Sequence, residues 1–394
     1  MSDHRPGRSP EGSPSPPPAH PQAIALLASF SGSGGVERML VNLLLALDAR
    51  GLAIDLLLLR ADCAYLAELP PSIRQHRLAG RHSQLAIPAL ARYLRRERPA
   101  ALLVAKDRAG RSAVLARALA GVQTPIALRL GTHLSTAMAG RSAPERWLRY
   151  RLIRWLYPHI ETIIAVSNGV AEDVQAVAQV PAERIHVVRN PVITPTLESR
   201  AQQPCTHPWL HSTTAAQPPV ILGIGRLQRQ KDFPTLIRAL ARLRQQRPCR
   251  LVILGEGGGR ADLESLIRAL GLGEAVDLPG FVANPYPFIA RANLLALSSA
   301  WEGSPNVLTE ALALGTPVVA TDCPSGPAEI LQQGRFGPLV PVGDDAALAR
   351  ALAATLDAPL PAATLRAAVA DYRADISAER YLERLHAIQG IHPT

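Results

Sequence analysis

Lysine is nearly missing from this chain of 394 residues. Lys106 and Lys231 stand alone, and arginine supplies the rest of the positive charge behind a net balance of +10. The skew suits a GC-rich coding bias, so part of the charge is compositional; the balance still favours anionic partners such as phosphates, nucleotides or lipid headgroups. Cysteine is sparse as well. Cys63, Cys205, Cys249 and Cys323 are scattered, no two form a C-x-x-C pair, and neither H-E-x-x-H nor Asp-x-Asp occurs. These absences leave no disulfide framework and no metal site recognisable by spacing, and they suit reduced thiols in the cytoplasm. No apolar run approaches the ~18 residues that cross a bilayer. Residues 1–21 carry no large aliphatic side chain after Met1. Such a Pro/Ser/Gly/Arg stretch buries too little surface to offset ordering entropy and is expected to be a disordered tail.

What remains reads as a globular protein. Hydrophobic residues make up 47% of the chain and mean hydropathy is +0.08, and the length accommodates two domains with separate cores. The first apolar stretch, "AIALLASF" (23–30), runs into a glycine loop rather than a small-residue cleavage site, which argues against a signal peptide. Apolar runs then alternate with helical periods: "IALLAS", "AIDLLLL" (53–59), "AALLVAK" (100–106), "PIALRL" (125–130) and "ETIIAVS" (161–167). Alternation of this kind predicts a parallel sheet covered by helices on both faces. Residues 194–218 interrupt it with Pro, Gln, Thr and Ser and read as a linker. The pattern restarts at "PVILGIG" (219–225) and continues through "CRLVILG" (249–255), "AVDLPG" (275–280), "NLLALSS" (293–299) and "PVVAT" (317–321). The expected organisation is an α/β domain over 22–193 and a second over 219–375. A final amphipathic segment, 376–394, is expected to pack back across the boundary.

Three strand-to-helix turns carry candidate chemistry. In "FSGSGGVERMLVNLLLAL", Gly34 and Gly35 precede a helix whose apolar positions are Val36, Met39, Leu40, Leu43, Leu44 and Leu47. Glycine allows close approach of a ligand to the backbone and a helix N-terminus offers unpaired N–H groups, although a bare tight turn fits equally. In "GIGRLQRQKDFPTLIRAL", Arg226 and Lys231 follow a strand, with Asp232 as helix N-cap and Pro234 in the first turn. Two cations at the C-terminal end of a sheet strand can neutralise a diphosphate, arginine bridging two oxygens and lysine acting as a point charge. In "AWEGSPNVLTEALALGTPVVAT", Ser304, Asn306 and the amides of Val307 and Leu308 form a polar helix start between Glu302 and Glu310. Carboxylates accept from vicinal hydroxyls, so Glu310 suits a ribose and Glu302 a sugar ring beside a phosphate at the helix N-terminus. Gly255-x-Gly257-x-x-Arg260 lacks the final glycine of a dinucleotide fingerprint and reads as architecture rather than as a nicotinamide site.

Together with "AVSNGVAEDV" (165–174) and "VVRNPV" (187–192), these motifs resemble a retaining GT-B glycosyltransferase of the large GT4-type group, over roughly residues 23–390. The resemblance implies two Rossmann-like domains facing across a cleft, nucleotide-sugar on the C-terminal side and acceptor mainly on the N-terminal side. It implies that Arg226 and Lys231 hold the donor diphosphate, Glu310 the ribose and Glu302 the donor sugar. Gly34 and Gly35 would line the phosphates or acceptor, and His133 in "RLGTHLS" would lie beside the transferred sugar. Ser304, Pro305 and Asn306 depart from the commoner Glu-Gly-Phe-Gly form, a variant similar to transferases of bacterial surface polysaccharides that use UDP-hexosamines. No metal or other cofactor is expected, since cations and helix amides can stabilise a departing diphosphate.

Rival readings are a GT-B nucleotide-sugar epimerase and a non-catalytic nucleotide-sugar-binding protein. A glycoside hydrolase using Glu302 and Glu310 leaves Arg226 and Lys231 idle. Two stretches rich in arginine, "RYLRRER" (92–98) and "RWLRYRLIRWLY" (146–157), complete the reading. In the second, Leu148, Leu152, Trp155 and Leu156 form an apolar stripe that either rests on an anionic membrane near a lipid-linked acceptor or packs on the N-terminal core. No nucleic-acid module is present.

Overall fold

The computed structural model describes residues 23–32, 34–79, 82–211 and 217–389. The tail expected at 1–21 lies outside them. Two parallel sheets organise the chain. The first comprises β1 (Ile24–Phe30), β2 (Ile54–Ala61), β3 (Arg74–Arg77), β4 (Ala101–Ala105), β5 (Ile126–Leu130), β6 (Thr162–Ala165) and β7 (Ile185–Val187), in the order β3-β2-β1-β4-β5-β6-β7. The second comprises β8 (Val220–Ile224), β9 (Arg250–Leu254), β10 (Val276–Gly280), β11 (Leu294–Leu297), β12 (Val318–Thr321) and β13 (Leu339–Val340), in the order β10-β9-β8-β11-β12-β13. Central strands such as β4 and β5 are buried along their whole length, as helices on both faces demand. Each strand order reverses at a switch point, between β1 and β4 and between β8 and β11. Ligands of open α/β sheets bind outside the strand C-termini at such points.

Three strands were not legible as apolar runs: β3, β7 and β13. All three are edges, and β3 has the sequence RQHR. Charge on an edge strand discourages pairing with other chains. Arg74 on β3 gives Asp55 two hydrogen bonds, at 2.7 and 3.0 Å, and Tyr93 donates to the same buried carboxylate at 2.6 Å. Pairing to a buried acid, rather than aliphatic burial, holds this edge.

The stretch expected as a linker is built into the C-terminal core. Leu197–Ala201 is a helix and Pro208–Leu210 a short 3-10 turn. Leu197, Ala201, Cys205 and Leu210 are buried against a cluster that includes Tyr286 and Phe288. Four small or aliphatic residues about a turn apart suffice to dock it, and the surrounding polar residues hide them from a composition reading.

The last helix, Ala374–Gln389, places Ala378, Tyr381, Leu385 and Ile388 among Met39, Leu43 and Leu44 of the N-terminal core. The chain therefore crosses between domains twice. The crossings are bonded to each other: Val192 and Ile193 donate to the Tyr372 carbonyl, each at 3.0 Å, and Ala374 donates to Ile193 at 2.9 Å.

Both arginine-rich stretches are helical, and the apolar stripe expected on the second is split between core and solvent. The helix Ile87–Glu97 buries Leu90, Tyr93 and Leu94, and Arg95 donates to the carbonyls of Leu119 and Ala120. In the helix Ala143–Leu156 the buried seam is Ile153 and Leu156. Leu148 and Trp155 of the expected stripe stay exposed, at 54% and 63%, together with Trp147 at 60%. At 100° per residue these three fall on the side away from the Ile153–Leu156 seam. Arg149 turns inward to Asp107 at 2.7 Å, and Arg154 donates to the Val177 carbonyl at 3.1 Å.

Candidate functional site

The two switch points face each other across a cleft enclosing about 520 Å³, lined from both domains. Its C-terminal wall begins at β8. There Gly225 leads into the turn bearing Arg226 and Lys231, and the next turn starts at Gly255, after β9. A Cβ at Gly255 would stand 2.0 Å from the Gly225 carbonyl oxygen, and one at Gly225 would stand 2.7 Å from Cε of Lys231. The backbone turns and the lysine stem are stacked so tightly that only glycine fits at 255, where φ is +141°.

Lys231 donates to Glu302 Oε1 at 2.6 Å, and Ser299 donates to the same oxygen at 2.7 Å. Both partners are largely buried. Ser298 donates to the Lys231 carbonyl and Gln230 to that of Trp301, so the turn after β8 is fastened to the turn after β11. Arg226 is exposed at the cleft, and its guanidinium has no ion-pair or hydrogen-bond partner among the described residues. Asp232 sits at the expected N-cap, but its carboxylate accepts from the Thr235 hydroxyl at 2.7 Å and caps no backbone N–H.

Glu310 lies one turn into the helix Asn306–Leu314, on the cleft floor. Burial pushes its carboxyl up to about 7, while Arg38, a hydrogen bond from Tyr286 and Arg200 pull it down. Arg38 comes from the opposite domain. Its guanidinium carbon lies over the Tyr65 ring, 3.6 Å from the centroid, and the group pairs with Glu68 at 2.5 Å.

The polar helix start differs from the sequence reading in two places. The Leu308 amide is committed to the Pro305 carbonyl at 3.1 Å and its side chain is fully buried, so Leu308 offers a ligand nothing. Asn306 serves as an interdomain tie: it accepts from Asn190 at 2.8 Å and donates to the Gly35 carbonyl at 2.9 Å. Ser304, the Val307 residue and Gly34 and Gly35 line the cleft.

Gly131 and Thr132 line the cleft, and His133 is the next residue. Its Nδ1 is within 2.9 Å of the Thr136 hydroxyl and 3.4 Å of Asp173. Asp173 also accepts from the amides of Leu134 and Ser135. The ring is thus anchored through one nitrogen, leaving Nε2 without a partner among the described residues.

Sequence reasoning missed Glu37, Arg38, Asp173 and Glu329. Glu329 accepts from the amides of Asn168 and Gly169 at 2.9 and 3.0 Å and from Arg189 at 2.6 Å. It caps a helix of the other domain, so the "SNG" and "VRN" segments join the halves. Spacing gives no signal for a partner 160 residues away; Arg38 and Asp173 at least lie within quoted motifs.

The family described as Glycosyltransferase Family 4 matches residues 33–195, and Glycosyl transferases group 1 matches residues 211–372. The chain belongs to the GT4-type glycosyltransferases of GT-B fold. One relative is the N-acetylgalactosamine-N,N'-diacetylbacillosaminyl-diphospho-undecaprenol 4-alpha-N-acetylgalactosaminyltransferase of Campylobacter jejuni, 34% identical over 206 residues, 52% of this chain and 53% of that one. Another is the lipopolysaccharide core biosynthesis glycosyltransferase LpsE of Rhizobium meliloti, 37% identical over 139 residues, 35% of this chain and 40% of that one. The chain thus spans about half the length, or less, of these relatives. Among solved structures, Anabaena HepE in complex with UDP-glucose superposes with a TM-score of 0.76 at 22% identity, covering 93% of this chain and all of that one. At that identity the likeness shows the fold.

Proposed function

We propose that this GT4-type protein transfers a hexose or N-acetylhexosamine from a nucleotide-sugar, with UDP as the favoured nucleotide, to a glycan or lipid-linked acceptor in bacterial surface polysaccharide synthesis. One observation carries the reading: Arg226, Lys231, Glu302 and Glu310 line the same cleft, opposite a glycine loop on the facing domain. Arg226 and Lys231 offset the diphosphate, assisted by the Val307 amide at a helix N-terminus. Glu310 holds the ribose and Glu302 the donor sugar, with His133 at the cleft edge beside it. Stabilising the departing nucleoside diphosphate is the main electrostatic contribution, and it asks no divalent ion of the protein. Transfer proceeds with retention: the acceptor oxygen bonds the anomeric carbon on the face from which the phosphate leaves, and a donor phosphate oxygen takes the acceptor proton. The relatives named above support a lipid-linked or lipopolysaccharide acceptor.

The exposed face of the helix Ala143–Leu156 supports a peripheral contact with the inner face of an anionic membrane. Trp147, Leu148 and Trp155 are exposed there beside Arg151, whose guanidinium lies 5.2 Å from the Trp147 ring centroid. Aromatic and cationic side chains on one helix face suit the headgroup boundary.

Thermal-shift screening against nucleotide-sugars, followed by incubation with the stabilising donor and a panel of glycosides, tests the function. Acceptor-dependent release of nucleoside diphosphate is expected. An isomerised donor without acceptor would instead establish an epimerase, and binding without turnover a non-catalytic protein.

A further inference from the structure

One carboxylate on the cleft wall has no task in the donor reading. Glu37, in the first turn of the helix Gly35–Asp48, is only 6% exposed yet lines the cleft. No described residue gives it a hydrogen bond; the nearest cation, the Lys106 ammonium, stands 3.6 Å from Oε1. Its oxygens are not among the sealed, unpartnered polar atoms of the described residues but open to the cleft, so Glu37 can accept from a ligand that enters there.

Lys106 reaches this position at the expense of its backbone. It directly follows β4 with φ at +84° and ψ at 142°, a conformation that residues with a side chain rarely adopt and that is held only where the surroundings enforce it. Glu37 on the helix after β1 and Lys106 at the end of β4 stand on the two sides of the N-terminal switch point. The Lys106 side chain remains 45% exposed, so its ammonium has N–H donors free for a ligand.

An acceptor and several donors side by side match adjacent hydroxyls of a sugar. They do not match a phosphate, which Glu37 would repel. The geometry points to Glu37 and Lys106 as the hydroxyl-recognition site for the acceptor sugar: Glu37 accepts from one hydroxyl and Lys106 donates to its neighbour. This assignment rests on the transferase reading, since it gives the facing domain the acceptor.

The test is ligand-observed saturation-transfer NMR on wild type, Glu37→Gln and Lys106→Gly, each saturated with UDP. The probes are methyl glycosides of glucose, galactose, N-acetylglucosamine and N-acetylgalactosamine. At least one glycoside is expected to bind wild type, and its affinity to fall about fivefold or more in each variant, the equivalent of one lost hydrogen bond. UDP affinity is expected to stay within about twofold, because neither residue is placed on the donor. Lys106→Gly carries a second readout: glycine accommodates φ of +84° freely, so its melting temperature holds or rises while glycoside binding falls. Equal glycoside affinity in all three proteins, or no glycoside bound by wild type, overturns the assignment. Failure of wild type to bind UDP overturns the transferase reading instead, and the glycoside comparison without UDP still judges the pair.

Discussion

Replacing Glu310 by glutamine separates what the fold tolerates from what the ligand needs. In the ligand-free protein burial lifts this carboxyl from the usual 4.5 to about 7, a difference worth about 3 kcal/mol against the ionised form. The sign follows from linkage: an acid whose folded value lies above its unfolded one stays protonated in the fold. Its penalty is therefore absent below about pH 4.5, grows as pH rises toward 7, and is fully present above that. Glutamine mimics the protonated carboxyl at every pH. Glu310→Gln is expected to match wild type near pH 4.5 and to exceed it by up to about 3 kcal/mol at pH 8. Melting of the ligand-free proteins across this range measures the gap. UDP titrations measure the converse: wild-type affinity strengthens as pH rises through about 7, because only the carboxylate accepts from both ribose hydroxyls, whereas the variant shows a weaker and flatter profile. A variant less stable than wild type at pH 8, or one keeping the wild-type pH profile for UDP, would refute the reasoning.

Three other outcomes can be checked alongside. Lys231→Ala leaves Glu302 buried with only the Ser299 hydroxyl, so it is expected to lose roughly 3–5 kcal/mol of stability and to weaken UDP binding by calorimetry; unchanged UDP affinity removes the diphosphate role. Gly255→Ala forces a methyl into a gap of 2.0 Å against the Gly225 carbonyl, and is expected to abolish soluble expression; a wild-type melting curve would show that the two turns are not packed as described. Trp147→Ser with Trp155→Ser is expected to end flotation with anionic vesicles without changing UDP affinity, and no flotation of wild type would dispose of the membrane contact.

The C-terminal wall of the cleft is legible in the sequence because its residues are local to motifs. Arg226 and Lys231 share one turn, and Glu302 and Glu310 flank one helix start, so spacing alone brings each pair together. That Lys231 would meet Glu302 follows only once β8 and β11 are neighbours in the sheet. The edge strand β3 carries no aliphatic signal because it is held by Arg74 on Asp55. Glu37 was invisible for a different reason. In sequence it is an ordinary first-turn glutamate, favourable at any helix start, and only its lack of hydrogen bonds in three dimensions sets it apart. Leu308 shows the converse error, since a helix start offers its early amides only where the preceding loop does not already use them.

The way the last helix is fastened limits how this protein can be taken apart. Ala378, Tyr381, Leu385 and Ile388 complete a core whose other buried members lie at least 190 residues upstream. An expression fragment ending near residue 195 would present that missing wedge as an open apolar trough. One spanning residues 197–389 would carry an orphaned amphipathic arm. Separate production of the halves therefore calls for grafting residues 374–389 onto the first fragment through a short connector.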